Sequence, residues 1–368
     1  MELFYRSTRN ENVMLTASEA ILKGLSDEGG LFVPEYIPKL PVPLADLAGM
    51  DYQETAYVVM KQFLTDFTEE ELRGCIRAAY DDKFDNEEIA PIAKVDGVYY
   101  LELFHGPPIA FKDMALSILP HLMTTAARKH HVTDEIVILT ATSGDTGKAA
   151  LAGFADVEGT RIIVFYPKGG VSDEAQSGVK KMFEDEKLKA ELQKAGFRFS
   201  SANSINIGRL VPQIVYYVHA YGCLLKHEEI QEGEAVNVVV PTGNFGNILA
   251  AYFAKQMGVP IAKLICASNE NKVLFDFFET GTYDKNREFI LTESPSMDIL
   301  ISSNLERLIY LISGRNEAKN RELMKELNEN GRYGINGKMK AELSDFAAGY
   351  ASADEMKKAI RDTYENTG

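Results

Sequence analysis

The sequence contains no tryptophan, and its three cysteines, Cys75, Cys223 and Cys266, are far apart. Their spacing fits neither a zinc site nor a disulfide framework, so a reducing, cytoplasmic setting is the default expectation. No run approaches the roughly 20 apolar residues that a membrane span needs, and the N-terminus lacks the apolar stretch of a signal peptide. Basic residues are in deficit, because 39 Lys and Arg against 54 Asp and Glu give a formal net charge of −15. We therefore expect neither membrane nor nucleic-acid binding, since no positive field draws the chain to phosphate backbones.

The composition and the length are those of a folded protein with more than one domain. Hydrophobic residues make up 45% and charged residues 25% of the 368 residues, and at about 150 residues per domain this length suggests two or three domains. Asp51–Glu54 and Thr68–Glu71 fit helix capping boxes. The second box is followed by an apolar stripe at helical spacing over Leu72–Ala79. We expect a small, mainly helical domain over residues 1–90.

From about residue 91, strand and helix patterns alternate. Asp96-Gly97 between two β-rich runs predicts a hairpin. Two strand–helix–strand units follow, over Glu135–Thr140, Ala149–Ala155 and Arg161–Tyr166, and over Val236–Val240, Ile248–Met257 and Lys263–Ala267. This order predicts an α/β architecture of parallel sheets with flanking helices.

A loop of Ser, Thr and Gly follows the first strand of the first unit. It reads Ala-Thr-Ser-Gly-Asp-Thr-Gly over residues 141–147 and leads into a helix. A helix N-terminus presents free amides and the positive end of the helix dipole, which together make an anion site. A glycine turn with a capping Ser or Thr fits the same residues. The ATP-binding P-loop does not, because Thr142 and Ala149 stand where it needs Gly and Ser or Thr.

A second loop, rich in Gly and Asn, follows the strand Val236–Val240. It reads Pro-Thr-Gly-Asn-Phe-Gly-Asn over residues 241–247. Two glycines three residues apart, between a strand and a helix, let the backbone come close to a phosphate. The G-x-G-x-x-G spacing of dinucleotide-binding loops is absent. A plain strand-to-helix turn is the alternative interpretation.

The third feature is a lysine that follows an apolar run. Lys112 ends the stretch Ile-Ala-Phe-Lys within His105–Asp113. A lysine amine that is shielded from water has a lowered pKa and can act as a nucleophile or base near neutral pH. The alternative is a lysine whose stem packs against the protein while its amine reaches water.

Taken together, the three features favour a pyridoxal-phosphate enzyme. Such an enzyme needs a lysine for the cofactor aldehyde, one loop for the cofactor phosphate and another for the amino-acid carboxylate. The motifs H-E-x-x-H, C-x-x-C and G-x-S-x-G are absent, so zinc chemistry and nucleophile-elbow hydrolysis have no support. We therefore expect pyridoxal 5′-phosphate as cofactor and no metal.

These stretches closely resemble threonine synthase, of the tryptophan-synthase-β-like class of pyridoxal-phosphate enzymes. The matching blocks are LELFHGPPIAFKD (Leu101–Asp113), LTATSGDTG (Leu139–Gly147), SANSINIGRL (Ser201–Leu210) and VPTGNFGN (Val240–Asn247). Residues 5–9 and 24–34 resemble the small N-terminal domain of that family. The resemblance implies the fold of this class, with the N-terminal domain over 1–90. A catalytic region would cover 91–368, with a small moving subdomain at about 115–200.

The resemblance also implies the roles of individual residues. Lys112 would form the Schiff base, and Asp145 lies where the class has a contact with the cofactor ring. The residues expected to hold the cofactor phosphate are Gly243, Asn244, Phe245, Gly246 and Asn247. Those expected to hold the substrate carboxylate are Thr142, Ser143, Gly144 and Thr146. The candidates for the substrate phosphate are Asn203, Ser204, Asn206 and Arg209, since arginine provides a forked donor that is always charged.

The activity that the resemblance implies is the conversion of O-phosphohomoserine and water to threonine and phosphate. Lys112 would alternate between base and acid, which requires a tuned pKa. We expect a small-molecule substrate and a monomer or homodimer. A related phospholyase, which would release a keto acid from the same substrate, is one alternative. The other is a non-catalytic shortened relative, against which the intact Lys112 and both anion loops count.

Two parts of the family pattern are not found in the sequence. After Ser172 the family has a further strand and helix, and after the capped helix that begins at Ser352 it continues with another block. We expect the absence of the strand and helix after Ser172 to leave an apolar sheet edge or face exposed. We expect the loss of the C-terminal block to open one wall of the pocket to water, which would weaken substrate binding more than cofactor binding. The chain expressed alone would then aggregate or produce little threonine.

Overall fold

The computed structural model describes residues 2–141, 144–165, 182 and 185–368. The strands among these residues are β1 (Tyr5–Ser7), β2 (Met14–Leu15), β3 (Phe32–Pro34), β4 (Ile92–Val95), β5 (Val98–Leu101), β6 (Glu135–Ala141), β7 (Thr160–Phe165), β8 (Phe197–Ser200), β9 (Val236–Pro241), β10 (Ile261–Ser268), β11 (Thr282–Asp284), β12 (Arg332–Gly334) and β13 (Phe346–Tyr350). The α-helices are α1 (Ala17–Lys23), α2 (Tyr52–Phe63), α3 (Glu69–Ala79), α4 (Asp113–Leu116), α5 (Leu119–Lys129), α6 (Asp145–Phe154), α7 (Glu186–Lys194), α8 (Ile207–Lys226), α9 (Gly246–Met257), α10 (Val273–Thr280), α11 (Leu305–Ile312), α12 (Glu317–Asn330), α13 (Gly337–Ala341) and α14 (Ala353–Thr367). Two 3₁₀ helices cover Leu44–Gly49 and Pro295–Met297.

The first ninety residues contain the predicted helices. Both predicted capping boxes are present, with Asp51 capping α2 and Thr68 capping α3. The predicted apolar stripe is the buried face of α3. The expectation of a mainly helical region missed a small antiparallel sheet in which β1 lies between β2 and β3. Strands of two and three residues are too short for an alternating pattern to stand out in the sequence. The domain division at residue 90 stays a prediction.

Two three-stranded parallel sheets confirm the predicted strand–helix–strand units. β6 lies between β7 and β8, and β10 lies between β9 and β13. The predicted hairpin is formed by β4 and β5. α6 begins at Asp145, four residues before its predicted start, because the helix already includes the end of the Ser/Thr loop. Of the predicted strand Arg161–Tyr166, Tyr166 lies outside the described residues.

The helix α8 is the centre of the core. It is apolar on nearly every side, and a helix with that pattern is stable only when protein surrounds it. α8 packs against α2, α9 and the 3₁₀ helix Leu44–Gly49. Gly222 makes the last contact possible, because a Cβ at this position would lie only 2.7 Å from the carbonyl oxygen of Leu47. Each large apolar side chain that α8 buries contributes about 1.5–3 kcal/mol.

A second close approach joins α4 to α6. A Cβ at Gly153 of α6 would lie 2.2 Å from the carbonyl oxygen of Leu116, the last residue of α4. Only glycine permits this packing, since that distance is far below a van der Waals contact. The N-terminal ends of the two helices carry Lys112 and Asp145. The packing at Gly153 therefore sets how these two residues face each other.

Apolar side chains on α6 and β7 face solvent. Leu151, Ile163 and Phe165 are 46%, 47% and 37% exposed. That an internal loss exposes this face stays a prediction. The internal position after Ser172, where the family pattern is interrupted, lies outside the described residues. Within the part of the chain that the structure describes, no helix is long and apolar enough to cross a membrane. The three cysteines are free and buried.

Candidate active site

Lys112 immediately precedes α4, and its side chain is only 13% exposed. Burial lowers the pKa of Lys112 below its ordinary value. The carboxylate of Asp145 opposes this effect, and the positive charge of Arg209 adds to it. The environment is therefore that of a shielded amine, and it favours a reactive lysine over one whose amine reaches water.

Asp145 is the first residue of α6 and faces Lys112. Its Oδ2 atom lies 3.8 Å from Nζ of Lys112. The hydroxyl of Ser296 donates a hydrogen bond of 2.5 Å to the same oxygen. Ser296 belongs to the 3₁₀ helix Pro295–Met297, and its carbonyl oxygen lies 3.3 Å from where a Cβ of Gly243 would be. Ser296, which the sequence analysis missed, thus connects Asp145 to the Gly/Asn loop.

The Gly/Asn loop leads from β9 into α9. Phe245, just before the helix, has a left-handed backbone with φ of 64°. Its side chain is buried against Phe278 and Phe346, with ring centroids 6.1 and 6.0 Å away. No side chain of the described residues caps the start of α9. The free amides at this N-terminus are suited to an anion, because they carry the positive end of the helix dipole.

Two backbone carbonyl groups of the Gly/Asn loop accept hydrogen bonds from residues that precede α11. The hydroxyl of Ser302 donates to the carbonyl oxygen of Gly243 at 2.6 Å, and the backbone amide of Asn304 donates to that of Asn244 at 3.0 Å. The side-chain oxygen of Asn247 accepts from the hydroxyls of Tyr216, at 2.9 Å, and of Tyr217. These contacts leave the backbone amides of the loop as its donors for a ligand. Ser302 and Asn304 precede α11 in a polar run that the sequence analysis did not single out.

The segment 201–209 connects β8 to α8 and contains the four candidates for the substrate phosphate. Asn206 is fully buried: its Oδ1 caps α8 at the amide of Gly208, and its Nδ2 donates to the carbonyl oxygens of Ile21 and Ser201. This side chain has no group left for a substrate. Asn203 is exposed, and the carbonyl oxygen of Ser204 accepts a bond of 3.2 Å from Nδ2 of Asn304.

Arg209 is the charged member of this segment. It is 3% exposed, and its Nη1 donates to the carbonyl oxygen of Ala202 at 3.1 Å. Its Nε atom is buried and has no hydrogen-bond partner among the described residues. Burial lowers the pKa of Arg209 to about 10, so the guanidinium remains charged at neutral pH. A buried cation with an unsatisfied donor is suited to an anionic ligand.

A buried carboxyl group, Asp113, follows Lys112 and was also missed by the sequence analysis. Its Oδ2 accepts a bond of 3.3 Å from the amide of Ala110, whereas Oδ1 has no partner among the described residues. Burial raises the pKa of Asp113 to about 6, and the negative charge of Asp145 adds to this shift. Gly106 packs directly against this side chain, since a Cβ there would lie 2.6 Å from Cβ of Asp113.

The structure thus connects three of the predicted features: the lysine, the Gly/Asn loop and the segment 201–209. Of the Ser/Thr loop, Gly144 and Thr146 lie at the start of α6 beside Asp145. Thr142 and Ser143 lie outside the described residues. The polar residues that join the features, Ser296, Ser302 and Asn304, come from one later stretch of the chain.

Comparison with known proteins identifies relatives with the same fold. Residues 4–80 match the family model for the threonine synthase N terminus. The solved structure of pyridoxal-phosphate-bound threonine synthase from Brucella melitensis is 36% identical, with a TM-score of 0.90 over 99% of this chain and 81% of that chain. Threonine synthase from yeast is 31% identical, with a TM-score of 0.89 over 99% of this chain and 79% of that chain.

Among curated proteins, threonine synthase from Pseudomonas aeruginosa is 34% identical over 99% of this chain and 81% of its own length. That alignment covers 390 positions against the 368 residues of this chain, so at least 22 positions within it have no counterpart here. Human threonine synthase-like 1 is 39% identical over 95% of this chain. The chain spans about half the length of the threonine synthase-like 1 proteins that it matches.

Proposed function

The chain belongs to the threonine synthase family of pyridoxal-phosphate enzymes, and from this we propose that it converts O-phosphohomoserine and water to L-threonine and phosphate. The observation that most supports the proposal is the shielded amine of Lys112, which lies opposite Asp145 and is connected through Ser296 to the Gly/Asn loop. The substrate is then a small phosphorylated amino acid. A monomer or homodimer remains our expectation.

The residues of the site fit pyridoxal phosphate. Lys112 has the lowered pKa that reaction with an aldehyde requires, because only the neutral amine is nucleophilic. The uncapped start of α9, with Gly243 in the preceding loop and Gly246 as the first residue of the helix, would hold the cofactor phosphate. Asp145 would contact the cofactor ring. When bound, the cofactor supplies an electron-withdrawing ring that stabilises negative charge at the substrate Cα.

Lys112 would carry out the proton transfers. Its Nζ atom would remove the proton from Cα of the substrate and then a proton from Cβ, so that phosphate can leave from Cγ. A proton is then delivered to Cγ, water adds its hydroxyl at Cβ, and a proton finally returns to Cα. Such a group must exchange protons in both directions near neutral pH. The opposing effects of burial and Asp145 on the pKa of Lys112 suit this requirement.

The substrate phosphate would bind beside Arg209. The unsatisfied Nε of this buried guanidinium and the nearby Ser204 and Asn203 are the groups that we propose for it. Asn206, whose hydrogen bonds are all made within the protein, would instead hold the segment in place. Thr142, Ser143, Gly144 and Thr146 remain our proposal for the substrate carboxylate.

A second candidate function is that of a phospholyase, which would release phosphate and a keto acid from the same substrate. Several curated relatives are named threonine synthase-like 1 rather than threonine synthase, so family membership alone does not assign the product. The two activities differ in whether water is directed to Cβ. They share the roles that we propose for Lys112 and the Gly/Asn loop.

Product analysis distinguishes the two candidates. The cofactor-loaded protein is incubated with O-phosphohomoserine and, as a control that lacks the leaving group, with homoserine. The proposal predicts threonine and phosphate from the first and no reaction with the second. A keto acid in place of threonine would support the second candidate, and the absence of phosphate release would contradict both.

A further inference from the structure

Arg307, in the first turn of α11, is fully buried, and no carboxylate of the described residues contacts it. Its Nε donates to the carbonyl oxygen of Phe32 at 2.9 Å, its Nη1 to Oδ1 of Asn304, and its Nη2 to the carbonyl oxygen of Ile205. All three acceptors are neutral. Within the described residues, no ion pair involves Arg307. Burial lowers its pKa to about 10, so the side chain is still charged at neutral pH.

The neighbouring carboxylate, Glu306, is already balanced by another cation. Its two oxygens accept hydrogen bonds of 2.8 and 2.6 Å from Nε and Nη2 of Arg9. Its Oε1 also accepts from the hydroxyl of Thr8 and from Nδ2 of Asn320. Glu306 raises the pKa of Arg307 through its charge, but no anion of the described residues contacts the guanidinium directly. A buried charge without a contacting counter-ion costs several kcal/mol in proteins, so a bound anion close to Arg307 would be stabilised by it.

Asn304 connects Arg307 to the segment 201–209 and to the Gly/Asn loop. Its Oδ1 accepts from Arg307, and its Nδ2 donates to the carbonyl oxygen of Ser204. Its backbone amide donates to the carbonyl oxygen of Asn244. The same Nδ2 lies 3.4 Å from where a Cβ of Gly246 would be. Because Arg307 fixes the amide oxygen of Asn304, it also fixes the amide nitrogen toward Ser204 and the start of α9.

We propose that Arg307 is a positioning residue for the cofactor phosphate, acting through Asn304 on the Gly/Asn loop and on residues 204–205. This inference rests on the proposed assignment of residues 243–247 to the cofactor phosphate. The phosphate dianion is the anion that offsets the charge of Arg307 across Asn304. The attraction is strengthened by burial, because charges interact more strongly where the effective dielectric constant is low.

The experiment compares the affinities of the apo-protein for pyridoxal 5′-phosphate and for pyridoxal, which lacks the phosphate. The ratio of these affinities isolates the phosphate, because general damage to the pocket weakens both ligands alike. For Arg307→Met we expect the preference for the phosphorylated form to fall at least ten-fold, with pyridoxal affinity nearly unchanged. Arg307→Lys, which keeps the charge, should restore part of the preference.

Arg315→Met is the matched control. Arg315 is partly buried, and its Nη1 donates to the carbonyl oxygen of Pro34 at 2.8 Å, but no hydrogen bond of the described residues joins it to Asn304. Its loss should reduce stability and leave the preference unchanged. An equal preference in the wild-type protein and in Arg307→Met would overturn the inference alone. A wild-type protein with no preference would overturn the loop assignment and the inference with it.

Asn304→Asp separates positioning from folding and serves if Arg307→Met fails to fold. The aspartate loses the bond from Nδ2 to the carbonyl oxygen of Ser204 but still accepts from Arg307 and pairs with its charge, so the apo-protein should remain folded. The new negative charge also neutralises the cation behind the loop, and the preference for pyridoxal phosphate should fall at least ten-fold. A loss of stability with an unchanged preference would show that Asn304 and Arg307 only hold the fold together.

Discussion

Nζ of Lys112 and Oδ2 of Asp145 lie 3.8 Å apart, at the starts of two helices that are packed together through Gly153. Asp145 raises the pKa of the lysine, whereas burial and the charge of Arg209 lower it. The balance of these effects, rather than any one of them, leaves the pKa of the lysine below its ordinary value. The fold sets this balance, because the two side chains come from separate helices.

Lys112 should be the lysine that reacts with the cofactor. The physical reason is its lowered pKa, which leaves more of the amine neutral and nucleophilic than in an ordinary lysine. Borohydride reduction of the cofactor-loaded protein, followed by peptide mapping, should place the cofactor on Lys112. Cofactor attached to another lysine, or to none in a fully loaded preparation, would contradict this assignment.

Asp145→Asn should lower the pKa of Lys112 further, because it removes the charge that raises it. The pH profile of amine acylation at Lys112, followed in the apo-protein by peptide mass spectrometry, should shift its midpoint to lower pH. Ser296→Ala should shift it to higher pH, since the carboxylate then loses a competing donor. The exposed Asp156, beyond the other end of α6, provides the control Asp156→Asn, which should leave the midpoint unchanged.

Gly246→Val should weaken cofactor binding more than it weakens the fold. A Cβ at Gly246 would already lie 3.4 Å from Nδ2 of Asn304, so the methyl groups of valine would displace Asn304 and the loop amides. We expect at least a ten-fold loss of affinity (about 1.4 kcal/mol). Gly349→Val in β13, where a Cβ meets no atom within 4 Å, is the control. Unchanged cofactor affinity in a folded Gly246→Val protein would show that the loop has another role.

Asp113→Asn should make stability less dependent on pH. Burial raises the pKa of Asp113 from 3.8 to about 6, so the folded protein holds this proton more tightly than the unfolded chain. The stability gained from this proton is complete below about pH 4 and is lost as the pH rises through about 6. Between about pH 4 and pH 8 the wild type should therefore lose about 3 kcal/mol in free energy of unfolding relative to the variant. Urea unfolding at several pH values measures this difference, and a difference that does not vary with pH would contradict the assignment.

The parts of the fold that the sequence predicts correctly depend on neighbouring residues. The capping boxes at Asp51 and Thr68 and the stripe on α3 lie within single turns or helices, and all are present. The Gly/Asn loop was also predictable, because a strand followed by glycines and a helix places the loop at the carboxyl end of a parallel strand. Lys112 could be singled out because its apolar neighbours are adjacent in sequence.

The contacts that complete the site depend on residues far apart in the chain. Ser296 and Asp145 are separated by 151 positions, and Arg307 and Phe32 by 275. No local sequence pattern indicates such a pair, since the residues next to Ser296 and Arg307 form none of the motifs that the sequence analysis identified. For Asn206 the sequence analysis predicted a contact with the substrate phosphate that the structure does not favour. Its side chain makes three hydrogen bonds within the protein.

The most direct test of the proposed function is the amount of threonine formed for each phosphate released from O-phosphohomoserine. It is measured in the wild-type protein and in Lys112→Arg, which keeps the charge but not a transferable proton near neutral pH. The account predicts about one threonine per phosphate in the wild type, by the stoichiometry of the proposed reaction, and neither product above background in Lys112→Arg. Phosphate release without threonine, or equal threonine formation by the two proteins, would contradict it.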